Sequence, residues 1–283
     1  MKCNEINIRD PFILFENGIY YMYGSRAKNF AVKSGGFDVY TSTDLVEWSS
    51  PHECFNSIEH NMNQGANWAP EVHKYNGKYY MFATFVQRNN LRGTYILRAD
   101  SPLGPFSPYS EGAVTPNEWE CLDGTFYVGQ DNKPYIVFCH EHTQIIDGTI
   151  CFARLSQDLT GIEGEIVTLF SASSCPYIDS LESNGHYVTD GPFLYRTKSG
   201  ELFMIWSSFI KNQYAELLVR FEGGELGTNI THLPPIMDND GGHGMVFKQG
   251  EKLKFVFHSP NTSGEEKPCF IELEDKGESI SVK

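Results

Sequence analysis

Four acidic residues and one histidine recur along the chain at the start of a repeated pattern. Each of Asp10, Glu71, Asp123, Asp190 and His243 precedes an apolar stretch, a turn signal and a dense aromatic stretch. Clustered carboxylates push one another's pKa values apart, so that one stays protonated as an acid while another stays ionised as a base. Hydrolysis of a glycosidic bond requires this division of labour. The pattern therefore indicates a sugar-cleaving site, provided that the fold brings the five residues together.

Local roles are the alternative explanation of these acids. A single Asp before Gly or Pro more often caps a turn or pairs with a nearby cation. Four acids that recur in phase are poorly explained by four independent local roles. No Ser-His-Asp ordering, glycine-rich phosphate loop or His-Glu-x-x-His motif competes for the assignment.

The elements that must position these residues are short strands in five repeats. The repeats recur about every 50 to 70 residues, enough for four strands and their loops. Asn17-Gly18, Asn76-Gly77 and Ser199-Gly200 are hairpin signals between apolar runs, and no long segment has the period of an amphipathic helix. Five β-meanders without a helical layer predict an all-β fold, a five-bladed β-propeller that fills residues 1–283 as a single catalytic domain.

A pair of β-sandwiches is the alternative fold. In a propeller, the innermost strand of every blade lines the central channel, so equivalent positions of the five blades converge. We therefore expect Asp10, Glu71, Asp123, Asp190 and His243 to occupy one equivalent position and to meet there.

Charge and composition restrict the partners. The formal net charge of -14 argues against nucleic acid, whereas a neutral oligosaccharide or glycoside substrate fits. No run approaches the roughly 20 apolar residues that span a bilayer, so we expect no membrane association. The seven cysteines contain no Cys-x-x-Cys pair. We expect most of them to be buried thiols in a reducing compartment. Since Met1–Ile6 is not apolar, we expect a cytoplasmic protein, or a periplasmic or secreted one if a leader was removed, and a monomer or weak homo-oligomer.

Five short motifs carry a resemblance to a known family. In order along the chain, they are Arg9-Asp-Pro-Phe12, Trp68-Ala-Pro-Glu71, Leu122-Asp-Gly-Thr-Phe126, Asp190-Gly-Pro192 and Gly242-His-Gly244. From about residue 6 onward this series resembles the successive blade motifs of glycoside hydrolase family 43. The resemblance implies a five-bladed propeller and an inverting enzyme that acts on arabinose- and xylose-containing glycans.

The resemblance also assigns catalytic roles. It makes Asp10 the general base that activates water, Asp123 the carboxylate that orients the acid and tunes its pKa, and Asp190 the general acid. Most relatives have Glu where this chain has Asp190, and the shorter side chain retracts the carboxyl by roughly 1.5 Å, an error that can cost about 100-fold in rate. Glu182 is the nearest upstream substitute.

The remaining site residues are expectations of the same kind. The resemblance implies a structural calcium ion near His243, held largely by waters, and no cofactor for the chemistry. The alternative for His243 is a core histidine satisfied by the backbone. Substrate-binding roles are expected for Arg9, Trp68, Glu71 and Trp206, with Phe30 and Tyr214 as weaker candidates. The alternative for Glu71 is a place in the network of waters around the metal. Packing in the propeller core is the alternative for the aromatic residues.

The predicted mechanism is a single displacement with inversion, which requires the two working carboxyls to lie about 6.5–9.5 Å apart. The expected activity is release of terminal α-L-arabinofuranose from plant-type glycans, with β-D-xylosidase or β-D-galactofuranosidase as runners-up. A retaining fructosidase is a weaker alternative, because its Arg-Asp-Pro motif lies in the middle of the propeller. A propeller glycoside phosphorylase remains open, as does a sugar-binding propeller without catalysis if Asp190 cannot act as the acid.

Overall fold

The protein is a five-bladed β-propeller, as its repeats predict. The computed structural model describes residues 1–28 and 35–283. In this part of the chain, five antiparallel sheets of four strands stand in a ring, and the structure is nearly all β. Every sheet follows chain order from its innermost to its outermost strand in the manner of a meander. No helix among the described residues has the length and apolar character needed to cross a membrane.

Strand bounds follow the five repeats. Blade one contains β1 (Ile8–Glu16), β2 (Ile19–Arg26), β3 (Gly36–Ser42) and β4 (His52–Asn56). Blade two contains β5 (Trp68–Tyr75), β6 (Lys78–Val86), β7 (Arg92–Ala99) and β8 (Ser107–Pro108). Blade three contains β9 (Cys121–Val128), β10 (Pro134–His140), β11 (Thr149–Arg154) and β12 (Val167–Ser171).

Blade four contains β13 (Asp190–Arg196), β14 (Leu202–Ile210), β15 (Gln213–Phe221) and β16 (Ile230–Met237). Blade five contains β17 (Gly242–Gln249), β18 (Lys252–Ser259), β19 (Lys267–Asp275) and β20 (Ile280–Val282). One four-residue α-helix, α1 (His142–Ile145), and two 3₁₀ turns, Cys3–Glu5 and Ala172–Ser174, complete the described elements.

The second strand of each blade explains the dense aromatic runs of the sequence. Along β2, β6 and β14, six or seven consecutive residues are buried, without alternation. A strand that is covered on both faces by neighbouring sheets reads as a continuous apolar run. These strands therefore form the hydrophobic layers between blades. Five of the seven cysteines are buried and all are free thiols, as expected.

Each innermost strand contains a β-bulge near its start. The register with the second strand shifts after Arg9, Trp68, Leu122, Asp190 and Gly242. The residue that follows each of these has a left-handed backbone, with φ of 54° at Asp10, 47° at Ala69, 55° at Asp123, 52° at Gly191 and 49° at His243. Such a conformation costs about 1–3 kcal/mol outside glycine and clusters at functional sites. The bulge residues are thus the equivalent positions of the five blades.

This register corrects one prediction. Glu71 lies two residues after the bulge residue of blade two, Ala69, and Asp190 lies one residue before that of blade four, Gly191. The sequence aligns the five repeats by their acidic side chains, whereas the backbone conformation of the blades repeats at the bulge residue. Asp10, Asp123 and His243 do share one equivalent position.

Hydrogen bonds across the blades tie the five bulges into a ring. The backbone N–H of each bulge residue donates to a side chain of the preceding blade. The acceptors are Ser25 Oγ for Ala69 (2.8 Å), Thr84 Oγ1 for Asp123 (3.0 Å), Asp123 Oδ2 for Gly191 (3.0 Å), Ser207 Oγ for His243 (2.7 Å) and His258 Nδ1 for Asp10 (3.2 Å). The last bond closes the ring between blades five and one.

Candidate active site

The innermost strands surround a central cavity of about 380 Å³. Asp10, Asp123, Asp190 and His243 all line it, so four of the five residues expected to converge do so. Their positions follow from the bulges, which turn side chains at the start of each inner strand toward the axis. The remaining walls are formed by Arg9, Trp68, Arg92, Leu122, Glu141, His142, Leu181, Val188, Phe209, Tyr214, Asn261 and Ser263.

Asp10 is a buried carboxylate with several partners. Its Oδ2 accepts a hydrogen bond from Ser25 Oγ at 2.6 Å, and its Oδ1 lies 3.2 Å from His243 Nδ1 and 3.3 Å from Arg9 Nε. Burial alone would raise the pKa of Asp10, but the imidazole of His243, the guanidinium of Arg9 and the Ser25 hydroxyl outweigh it. The pKa of Asp10 therefore lies well below its ordinary value, and the group is ionised at neutral pH.

The backbone N–H of Asp10 is held by the side chain of His258. His258 is fully buried, and its Nε2 contacts Asn261 Oδ1 at 3.2 Å, while its Nδ1 faces the Asp10 N–H. Burial and the guanidinium of Arg9 lower the pKa of His258 to about 3, so the ring is neutral and its Nδ1 can accept. Arg9 is in turn held by Glu266 Oε1 at 3.3 Å.

Asp123 contacts the backbone of blade four and the imidazole of His243. Its Oδ2 accepts the Gly191 N–H and lies 3.7 Å from His243 Nδ1. Burial, reinforced by the negative charge of Asp10, raises the pKa of Asp123 well above its ordinary value. Because Gly191 directly follows Asp190, Asp123 holds the backbone that carries Asp190.

Asp190 stands at the edge of the cavity, partly exposed to it. Its Oδ2 accepts a hydrogen bond from Tyr214 Oη at 2.9 Å. Burial in the ring, followed by the nearby carboxyls of Asp123 and Glu141, raises the pKa of Asp190 to about 7. Asp190 can therefore carry a proton at neutral pH, while Asp10 in the same cavity cannot.

A buried carboxyl lies behind His243. Glu216 is fully buried, and Ser207 Oγ donates to its Oε2 at 2.9 Å while accepting the His243 N–H. Burial without a cationic partner raises the pKa of Glu216 to about 8. A neutral Glu216 thus anchors the backbone of the histidine that bridges Asp10 and Asp123.

The side chains around His243 do not by themselves form a calcium site. Ca²⁺ prefers six to eight oxygen ligands. Nδ1 of His243 is occupied by the carboxylates of Asp10 and Asp123, and within residues 1–28 and 35–283 no three His, Cys, Asp or Glu side chains are arranged to hold a metal.

One wall of the cavity carries an ion-pair cluster that the sequence does not reveal. Arg92 Nη2 contacts Glu141 Oε2 at 2.8 Å, its Nε contacts Glu120, and its guanidinium lies 5.0 Å from the centre of the Trp68 ring. His142 Nδ1 lies 3.2 Å from Nδ1 of His186 beside this cluster. Arg92, Glu120 and Glu141 follow no motif in the sequence, and the fold brings them together.

The predicted substrate contacts are placed unequally. Arg9, Trp68 and Tyr214 line the cavity. Glu71 does not: its Oε2 is engaged by Thr125 Oγ1 at 2.6 Å and by His73 Nε2 at 3.0 Å, and it faces a separate small space beneath Asp10. Glu71 thus lies outside the lining of the central cavity, and its substrate-binding role stays a prediction.

Two further predictions are corrected. Trp206 is fully buried in the core and packs on Phe170 with ring centres 5.2 Å apart, so it has no face for a sugar. The sequence could not separate the buried second strand from the inner strand that lines the cavity. Glu182 is exposed and, unlike Leu181, does not line the cavity. Phe30 lies outside the described residues.

Comparison with known proteins agrees with this geometry. The family model described as Glycosyl hydrolases family 43 matches residues 5–267. The solved endo-arabinase from Bacteroides thetaiotaomicron VPI-5482 shares 37% identity, with a TM-score of 0.88 over 98% of each chain.

Two curated proteins match part of the chain. The arabinoxylan arabinofuranohydrolase of Bacillus subtilis is 33% identical over 156 residues, 45% of this chain and 30% of that protein. A non-reducing end alpha-L-arabinofuranosidase of Bacteroides ovatus is 27% identical over 137 residues, 44% of this chain and 24% of that protein. Each match thus covers less than a third of the curated relative's own length.

Proposed function

Since the chain belongs to the glycosyl hydrolases of family 43 and is a glycoside hydrolase, we propose that it hydrolyses α-L-arabinofuranosyl bonds with inversion of configuration. The observation that carries this proposal is the contrast between Asp10, ionised at neutral pH, and Asp190, with a pKa raised to about 7, in one cavity. Inverting hydrolysis needs such a pair, one carboxylate to accept a proton and one carboxylic acid to donate one.

In the proposed mechanism, Asp10 removes a proton from a water as that water attacks the anomeric carbon. Asp190 gives its proton to the glycosidic oxygen, and the bond between that oxygen and the anomeric carbon breaks. The sugar leaves with a new hydroxyl on the opposite face, and the two carboxyls have exchanged protonation states. The step requires Asp10 and Asp190 to stand about 6.5–9.5 Å apart, with room for the water.

Tyr214 offers a reason why an Asp can serve at position 190. Its hydroxyl binds Oδ2 of Asp190, which leaves Oδ1 to carry the proton toward the cavity. Asp123 holds the next peptide bond through Gly191. The short side chain is therefore fixed from two sides, which supports catalysis over a sugar-binding propeller that has lost its acid.

The proposed substrate is an arabinose-containing glycan, from which terminal α-L-arabinofuranose is released. The names of both curated relatives support arabinofuranosyl bonds. Cleavage of internal bonds in arabinan is the second candidate, because the 37% identical structure is an endo-arabinase. β-D-Xylosidase activity is a further alternative, because a β-xylosidase/α-arabinofuranosidase shares the fold, and β-D-galactofuranosidase activity is another.

Hydrolysis is favoured over phosphorolysis because Arg9 and Arg92, which line the cavity, are already paired with carboxylates. Arg9 pairs with Asp10 and Glu266, and Arg92 pairs with Glu120 and Glu141. A phosphate group would have to compete with these carboxylates for both guanidinium groups.

The test is a set of aryl glycosides and linear arabinan, followed by NMR of the anomer first released, with and without phosphate. Release of the β-anomer of arabinose from an α-arabinofuranoside, independent of phosphate, is expected. Initial release of the α-anomer would show retention and overturn the mechanism, and phosphate-dependent turnover would identify a phosphorylase.

A further inference from the structure

A second concave site lies at the far end of the inner strand of blade three. Its volume is about 400 Å³, similar to that of the catalytic cavity. Strand β9 begins at the catalytic cavity, where it carries Asp123, and runs away from it to Val128. The turn after Val128 and the turn between β15 and β16 both lie at this far end, so the two cavities open on opposite faces of the propeller.

Aromatic side chains form much of the wall of this second site. Tyr127 and Tyr135 are direct cross-strand partners on β9 and β10, and Phe152 on β11 has its ring centre 6.3 Å from that of Tyr135. All three are half-buried and so keep part of their surface open. Aromatic faces of this kind are amphipathic platforms on which the C–H faces of sugar rings can pack.

The site is held in shape by one arginine. Arg196 Nη1 donates to Gly200 O at 2.8 Å and to Gly224 O at 2.6 Å, which fixes the turn after β15. Its Nη2 donates to Tyr127 Oη at 2.5 Å and contacts Glu225 Oε1 at 3.3 Å. Blade four is thereby tied to the aromatic wall of blade three, and the cavity is preformed.

Polar groups at the rim suit a neutral ligand rich in hydroxyls. Asp131 binds Tyr135 Oη at 3.0 Å and pairs with Lys133 at 3.4 Å, while Glu225 pairs with Arg196. Both carboxylates already have a cationic partner, which disfavours a charged ligand. Their side chains are 41% and 48% exposed, so their oxygens can still accept hydrogen bonds from hydroxyl groups.

From this geometry we infer that a second glycan-binding site lies on the face of the propeller opposite the catalytic cavity. This site is built by Tyr127, Tyr135 and Phe152, and it holds a neutral chain of the polymeric substrate. The inference rests on the proposed function for the identity of the sugar. The site raises the local concentration of polymer at the enzyme, and it is too remote to act on a small glycoside in the catalytic cavity.

The test compares Tyr135→Ala and Tyr135→Phe with the control Tyr109→Ala, which removes a half-buried tyrosine from a different surface depression. Retardation in a gel containing linear arabinan measures polymer binding, and turnover of an aryl α-arabinofuranoside measures the catalytic cavity. Tyr135→Ala should weaken retardation by roughly threefold to tenfold, with aryl glycoside kcat/KM unchanged. Tyr135→Phe, which keeps the ring, and Tyr109→Ala should match the wild type.

Unchanged retardation of Tyr135→Ala would overturn the second site, and so would an equal loss on the aryl glycoside. If the wild type cleaves no arabinofuranoside, the proposed function fails. A panel of xylan and galactan gels then tests the second site separately: polymer retention that only Tyr135→Ala loses supports it, and retention shared by all variants refutes it.

Discussion

The carboxylate of Asp123 accepts a hydrogen bond of 3.0 Å from the backbone N–H of Gly191. This bond fixes the peptide that follows Asp190, and a glycine is needed there because a Cβ would lie 2.7 Å from Cδ2 of His243. Asp123 is therefore placed to influence the proposed acid through the backbone and through charge.

Asp123→Asn should move the alkaline limb of the pH–rate profile to lower pH. The carboxyl of Asp123 helps to raise the pKa of Asp190 to about 7, so its replacement by a neutral amide lowers that pKa and deprotonates the acid earlier. The profile of kcat/KM between pH 5 and 9 measures the shift. Asp100→Asn, on the exposed surface, is the control, and an unmoved limb would remove Asp123 from the tuning of Asp190.

Tyr214→Phe should move the same limb in the opposite direction. In the wild type, activity falls as pH rises through about 7 because Asp190 loses its proton. The Tyr214 hydroxyl stabilises the ionised carboxylate, so its loss raises the pKa of Asp190, by about one pH unit. A limb that stays in place or moves downward would contradict the assignment of Asp190 as the titrating acid.

Asp190→Asn should make turnover depend strongly on the leaving group. Substrates with poor leaving groups need a proton from the acid and should lose about 10²–10⁴-fold in kcat. Dinitrophenyl glycosides leave without protonation and should lose less than about tenfold. Plots of log kcat against leaving-group pKa test this point, and equal losses on both substrates would assign the acid elsewhere.

Asp10→Ala should reduce kcat by about 10²–10⁴-fold on every substrate, because it removes the carboxylate proposed to take the proton from water. Sugar binding, measured by calorimetry, and the far-UV spectrum should stay close to those of the wild type. Glu182→Gln is the matched control on a residue outside the cavity and should retain full activity. Activity of Asp10→Ala near the wild-type level would refute the base assignment.

Glu216→Gln should reduce the loss of unfolding free energy that the wild type shows as pH rises. With a pKa raised to about 8 in the folded state, Glu216 keeps a proton that the unfolded chain releases above its ordinary pKa of about 4.5. Its contribution to stability is complete below about pH 4.5 and is lost as pH rises to about 8, on the order of 4 kcal/mol in total. Urea unfolding at pH 5 and pH 8 measures this loss.

The stability difference between Glu216→Gln and the wild type should therefore grow in favour of the variant as pH rises. Glu251→Gln, on a carboxylate 97% exposed, should show no such trend. Parallel pH dependence of the wild type and Glu216→Gln would mean that Glu216 is ionised in the folded protein.

The sequence predicts the propeller and the meeting of Asp10, Asp123, Asp190 and His243, because each lies near the start of an inner strand and the inner strands converge on the axis. The alignment of the repeats by sequence fails at the bulge, where the inner strand gains an extra residue. Side-chain type alone cannot show which residue takes the left-handed position, and Glu71 was misplaced for that reason. Buried and cavity-lining aromatics also look alike in sequence, as Trp206 shows.

The Arg92 cluster marks a second limit. Arg92, Glu120 and Glu141 come from different segments of blades two and three, and each is common as a surface residue. Their pairing arises from the packing of one blade against the next. No local pattern encodes such a contact, so this part of the cavity wall becomes visible only in the folded chain.

The five bulges repeat one backbone conformation, and each blade has a different residue at that position: Asp10, Ala69, Asp123, Gly191 and His243. In four blades the N–H of the bulge residue donates to a side chain that is not itself at a bulge position, and the exception is Gly191, whose N–H donates to Asp123. Reactive groups can thus be exchanged during evolution one blade at a time, without redesign of the scaffold. Ala69 is the place where a new group can enter first, because Gly191 has no room for a Cβ beside His243.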